Sequence, residues 1–137
     1  MKEKIIIALI VLVSTIKAQD TTNSINPHGG ILKTIQNYKI EVVESYGCVS
    51  VYVYDATLKS ISNRGITGEI LFVYDNDASL NAKLKPVGND GFIAEVLNSN
   101  YYYYTVHLKI HGKIIKSKFD NISGLADTDA HKIVPSK

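Results

Sequence analysis

From residue 37 to residue 119 apolar and polar residues alternate in short runs, with turn residues returning roughly every eight to twelve positions. Nothing after the first eighteen residues carries a helical period. The alternation predicts seven strands: Asn37 to Glu44, Cys48 to Asp55, Thr67 to Tyr74, Ser79 to Lys85, Gly91 to Leu97, Tyr101 to Ile110 and Lys113 to Phe119. Between them lie Ser45-Tyr46-Gly47, Asp75-Asn76-Asp77 and Gly88-Asn89-Asp90-Gly91, residue types that accept turn conformations. Seven short strands of this kind predict an all-β fold, a single antiparallel immunoglobulin-like β-sandwich.

The last two strands fix a register. With His111-Gly112 as a two-residue turn, Ile110 faces Lys113, Leu108 faces Ile115, Val106 faces Ser117 and Tyr104 faces Phe119, which gathers one largely apolar face. The other face receives Lys109 with Ile114, His107 with Lys116, and Thr105 with Lys118. Elsewhere Tyr38, Ile40 and Val42 alternate with outward Lys39 and Glu41, Leu80, Ala82 and Leu84 alternate with outward Asn81, Lys83 and Lys85, and Phe92, Ala94 and Val96 are expected inward. Cys48 to Tyr54 is apolar on both faces and is expected to be central. The same alternation sends Tyr102 and Tyr104 inward and leaves Tyr101 and Tyr103 outward, where with Tyr52 and Tyr54 they form a candidate aromatic patch for a partner.

The amino-terminal segment changes the picture of where this domain works. Lys2 and Lys4 precede the apolar run Ile5 to Val13, and Ser14-Thr15-Ile16-Lys17-Ala18 offers a small residue before Gln19, the pattern of a secretory signal peptide. The run is shorter than the ~20 residues a spanning helix needs, so no membrane span is expected in the mature chain. The organisation expected is a signal peptide over 1–18, a polar flexible leader over 19–30, the sandwich over 31–120 and a polar tail over 121–137. Three of the fifteen Lys and Arg and one of the thirteen Asp and Glu leave with the signal, which leaves twelve of each sign and a neutral mature chain. Overall charge therefore points to no nucleic-acid partner, since such a surface needs a basic excess gathered on one face. Cys48 is the only cysteine, so no intrachain disulfide forms.

Imidazole and thiolate are good ligands for copper or zinc, which makes His28 and Cys48 the candidate metal residues. His28 stands beside two glycines. His107 is set against Lys116, whose charge opposes a bound cation, His111 belongs to a turn, and His131 lies in the tail. Cys48 reads more readily as a small buried side chain than as a ligand. Asp75-Asn76-Asp77 fails as a calcium loop, because Leu80 stands where glycine is needed and Pro86 where the bidentate glutamate is needed. No nucleophile elbow, zinc-protease helix or phosphate loop is present, and a non-enzymatic domain is expected.

His28-Gly29-Gly30, Tyr38-Lys39-Ile40-Glu41-Val42-Val43, Val53-Tyr54-Asp55, Gly65-Ile66-Thr67-Gly68-Glu69, Leu84-Lys85-Pro86 and the hairpin through Gly112-Lys113 to Phe119 occur in this order. From His28 to Phe119 the chain thereby resembles a family of small exported bacterial proteins. The resemblance implies a single β-sandwich and an association with heavy-metal export systems, and it carries over no catalytic residues. The expectation is a periplasmic or secreted binding module, in its sharper form a heavy-metal-handling accessory with an envelope protein or a metal ion as partner. The alternative is a structural or protein-interaction domain that uses the tyrosine patch or a sheet edge.

Overall fold

A computed structural model describes residues 26–121, so the expectations for the signal peptide, most of the leader and the tail after Asn121 lie outside the described residues. Among the described residues there are nine strands and no helix. They are β1 (Ile31–Ile35), β2 (Tyr38–Ser45), β3 (Cys48–Asp55), β4 (Ile66–Tyr74), β5 (Ser79–Lys83), β6 (Lys85–Val87), β7 (Gly91–Glu95), β8 (Tyr101–Ile110) and β9 (Lys113–Asp120). One sheet has the order β1-β2-β3-β7-β6 and the other β5-β4-β8-β9, with every pair antiparallel. The stretches β2-β3-β7-β6 and β4-β8-β9 reproduce the A-B-E-D and C-F-G orders of an immunoglobulin constant-type sandwich, with β1 and β5 added as edges.

The core lies between the sheets. Ile40, Val42, Val49, Val51, Val53, Phe92 and Ala94 come from one side, and Ile70, Phe72, Tyr104, Val106, Leu108, Ile115 and Phe119 from the other. These are the alternate positions of their strands, as burying one face of each sheet requires. The β8–β9 register is the one the sequence implies, from Ile110 opposite Lys113 to Tyr104 opposite Phe119. Its turn explains why: His111 at φ 48° and Gly112 at φ 82° are both left-handed, the conformation of a type I′ turn that matches the twist of the flanking strands.

Two strands escape the alternation. In β1 Lys33 shares the parity of Ile31 and Ile35, which masks the pattern, yet its ammonium crosses to the Lys118 carbonyl and lies 4.9 Å from the centre of the Phe119 ring. The aliphatic stem covers the sandwich edge while the charge stays at the rim. The run from Ser79 to Lys85 is two strands, because Leu84 donates its amide to the Gly68 carbonyl and the chain then crosses to the opposite sheet as β6. Pro86 sits on that edge strand, where a missing amide is tolerated.

Candidate functional site

Glu41 falls between Ile40 and Val42 on β2, so its side chain points to the outer face of the five-stranded sheet, yet it is 0% exposed. The cover is the end of the segment expected to be a flexible leader. Asn26 to Gly30 make a turn, closed by the Gly29 amide on the Asn26 carbonyl and by the Asn26 side-chain amide on the Gly30 carbonyl, and lie across β2. A methyl group at Gly30 would stand 2.1 Å from the Val42 carbonyl oxygen, so only glycine permits this approach.

Four groups converge on the Glu41 carboxylate. The His28 amide at 2.9 Å and the Gly30 amide at 3.0 Å donate to Oε1; the Tyr54 hydroxyl at 2.7 Å donates to Oε2, with His28 Nδ1 3.1 Å from the same oxygen. Nδ1 is also 2.9 Å from the Tyr54 oxygen. Because an ionised carboxylate only accepts and the tyrosine proton is directed to it, Nδ1 carries hydrogen, and in the neutral imidazole Nε2 holds the lone pair. Burial pushes the Glu41 carboxyl up, but the bonds from Tyr54, Gly30 and His28 outweigh it and hold the group below its ordinary value. Burial, together with its bond to Glu41, drives the Tyr54 phenol far above the usual range. The His28 ring stacks on Tyr52 with centroids 3.6 Å apart and planes within 5°.

Three of the candidate residues, His28, Tyr52 and Tyr54, are thus brought together. Cys48 is not with them. It is half-buried at the far end of the same outer row, four residues from Tyr52 and so ~13 Å along β3. Among the described residues no three His, Cys, Asp or Glu side chains are grouped to hold a metal ion. His107 lies opposite Lys116, and its Nδ1 is 3.9 Å from Glu69.

The expected tyrosine patch is not one surface. Tyr54 is only 3% exposed, because the leader and Glu41 cover it. Tyr101, expected outward, is 5% exposed and packs in the core 4.9 Å from Phe72 and 5.5 Å from Tyr104. The register explains the exchange: Val73 pairs with Tyr103 but Tyr74 pairs with Tyr101, so the strand bulges and Tyr102, expected inward, is expelled to 60% exposure. Tyr103 does face outward, half-buried under the Lys118 ammonium at 3.9 Å, but on the opposite sheet from Tyr52.

That bulge builds the site that alternation does not reveal. Tyr102, Tyr74, Asp75, Asn76, Asn98 and Asn100 line a cleft of about 930 Å³ at the end of the sandwich formed by the β4–β5 turn and the β7–β8 connection. The Tyr102 hydroxyl donates to Asp75 at 2.7 Å, and this bond and the carboxylate charge raise its pKa. Tyr74 donates to the Asn98 carbonyl at 3.2 Å, and Asn100 donates its amide to the Asn98 side chain at 3.0 Å. Asn121 clamps the connection from beneath, its amide donating to the Ser99 and Tyr101 carbonyls. Leu97 at 93% and Tyr46 at 105% exposure stand at the same end, where the Val96 amide meets the Gly47 carbonyl. The usable sequence signal was Asn98-Ser99-Asn100 running into four tyrosines, a mixture of amides and aromatics typical of binding loops.

Comparison of the chain with protein-family models, curated proteins and solved structures gave no match.

Proposed function

We propose that this is an exported, non-enzymatic binding module that docks a partner protein through the cleft between the β4–β5 turn and the β7–β8 connection. The observation that carries the reading is Tyr102, a largely exposed ring fixed by its bond to Asp75 and set among amides, at the end of the sandwich that also carries exposed Leu97. A ring already held in place loses little conformational freedom on binding, and tyrosine is enriched where interface energy concentrates. The signal-peptide pattern makes an envelope protein the natural class of partner. The test is capture from envelope extracts with the mature protein as bait. Tyr102→Ala and Leu97→Asp should each abolish a capture that Tyr103→Ala retains; capture indifferent to the first two refutes the reading.

A second reading keeps a metal role for His28. A buried carboxylate that engages Nδ1 and leaves Nε2 for a metal is how proteins orient an imidazole ligand, and Glu41 engages His28 Nδ1 in this way. Titration with Cu(I), Cu(II) and Zn(II) tests it. Binding that is lost in His28→Ala, weakens on acidification and survives Cys48→Ser supports a site on the imidazole alone. Binding unchanged by both substitutions removes the metal role.

A further inference from the structure

The end of the sandwich opposite the Tyr102 cleft holds a second groove, of about 660 Å³, on the four-stranded sheet beside the β5–β6 crossing. Its rim is a cross-strand row. Lys83 pairs with Glu69, Glu69 with His107 and His107 with Lys116, and the next row adds Thr67, Lys109 and Ile114. Three lysines therefore face one carboxylate. Among the described residues Lys83, Lys109 and Lys116 have no acidic partner within ion-pair distance, and the nearest contact of Glu69 is with His107. The chain is neutral after removal of the signal, but these cations gather on one face.

The same groove has an apolar side. Ile114 is 65% exposed at a position where the neighbouring outward residues of β9 are lysines. Leu84 and Pro86 come from the crossing. Gly68 carries no side chain, and Leu108 and Leu84 fill the space on its core side, so only backbone lies beneath the groove at that point. Unpaired ammonium groups beside exposed aliphatic side chains match one ligand chemistry. Glu69 interrupts the lysine row, which disfavours an extended polyanion laid along it.

We infer that this groove binds a small amphiphilic anion, an alkyl chain with one carboxylate or sulfate head, the chain lying on the exposed Ile114 and Pro86 and the head among Lys83, Lys109 and Lys116. Its volume falls within the range of small-molecule sites, about 300 to 1,000 Å³. The assignment is independent of the docking role given to the opposite end.

The experiment is calorimetric titration of the mature protein with dodecanoate below its micellar concentration, with dodecanol, inorganic phosphate and heparin run in parallel. Dodecanoate should bind one to one. Lys109→Glu, Lys116→Glu and Ile114→Ser should each weaken it roughly tenfold, the size of a lost charge contact or buried alkyl contact, and Tyr102→Ala should not. Circular dichroism melts confirm that the exposed substitutions leave the fold intact. Equal binding of dodecanol would show that the lysines are not used and overturn the inference. So would binding of phosphate or heparin as tight as dodecanoate, which makes the alkyl chain dispensable. Dodecanoate binding indifferent to all three substitutions, or absent below millimolar concentration, overturns it as well.

Discussion

The two outer faces of this sandwich each carry a glutamate beside a histidine, and they treat the pair in opposite ways. On the five-stranded sheet Glu41 is fully covered, bonded by two backbone amides and a tyrosine hydroxyl, and the histidine beside it belongs to the segment that does the covering. On the four-stranded sheet Glu69 is 43% exposed and 3.9 Å from His107, with water free to reach both. A carboxylate taken out of water needs every lone pair answered, and a short stretch of chain supplies the donors. Left in water it needs no such partners. The patch around Glu41 is therefore part of the folded structure, while the Glu69 face stays open to water.

The sharpest way to break this contrast is to remove each carboxylate. Glu41→Ala leaves the Tyr54 hydroxyl and two amides without a partner under the leader and should destabilise the domain by about 3 kcal/mol. Glu69→Ala should change stability by less than about 0.5 kcal/mol. Urea unfolding followed by circular dichroism measures both, and equal effects would dissolve the distinction. Next in size is Gly30→Ala. The added methyl collides with the Val42 carbonyl and must lift the leader from the sheet, at an expected loss of about 2 kcal/mol, with faster amide exchange at His28 and Gly30 as the local signature.

Much of the fold was legible because burial selects every second residue of a strand, and the β8–β9 pairing follows from nothing more than a two-residue turn and that parity. Parity also explains the failures. It holds only while the ladder is regular, so the bulge at Tyr74 exchanged Tyr101 and Tyr102 and concealed the cleft. It assumes that the outer face is wet, so Glu41 read as an ordinary solvent-facing residue and Tyr54 as part of a patch. Of the groups on the Glu41 carboxylate, those from His28 and Gly30 lie thirteen and eleven residues earlier in the chain, in a segment without periodicity, and two of them are backbone amides that no side-chain pattern announces. His28 was legible as chemistry, but its partners Tyr52 and Tyr54 were assigned to a different surface. Charge behaved likewise: a formal total of only +2 concealed lysines that β5, β8 and β9 bring to one face.

Titration sharpens the contrast further. The Glu41 carboxyl titrates below its ordinary value of 4.5 when folded, so at acidic pH the unfolded chain binds more protons there. Its contribution is complete above the unfolded value and is lost as pH falls through the folded one. Stability of the parent should fall on acidification below about 4.5, and in Glu41→Gln that part of the slope should vanish, while Glu69→Gln retains it. At the other extreme, burial raises the Tyr54, Tyr101 and Tyr104 phenols above their ordinary value of 10.0. The unfolded chain then loses protons that the folded one keeps, so stability falls as pH rises past that value. Denaturant midpoints across the pH range measure both limbs.

The smallest expected effect belongs to the open face. Tyr103 and Lys118 touch through a cation over a ring at 3.9 Å, next to the edge where Lys33 reaches the Lys118 carbonyl. An ammonium on a half-exposed ring keeps most of its hydration, so the contact contributes about 0.5 kcal/mol. A double-mutant cycle of Tyr103→Leu and Lys118→Ala, measured by thermal unfolding, should give a coupling of that size, about 0.5 kcal/mol. A coupling above about 2 kcal/mol would mean the pair is desolvated. The outer face of the four-stranded sheet would then resemble the covered face, and the argument that it stays open for ligands would lose its footing.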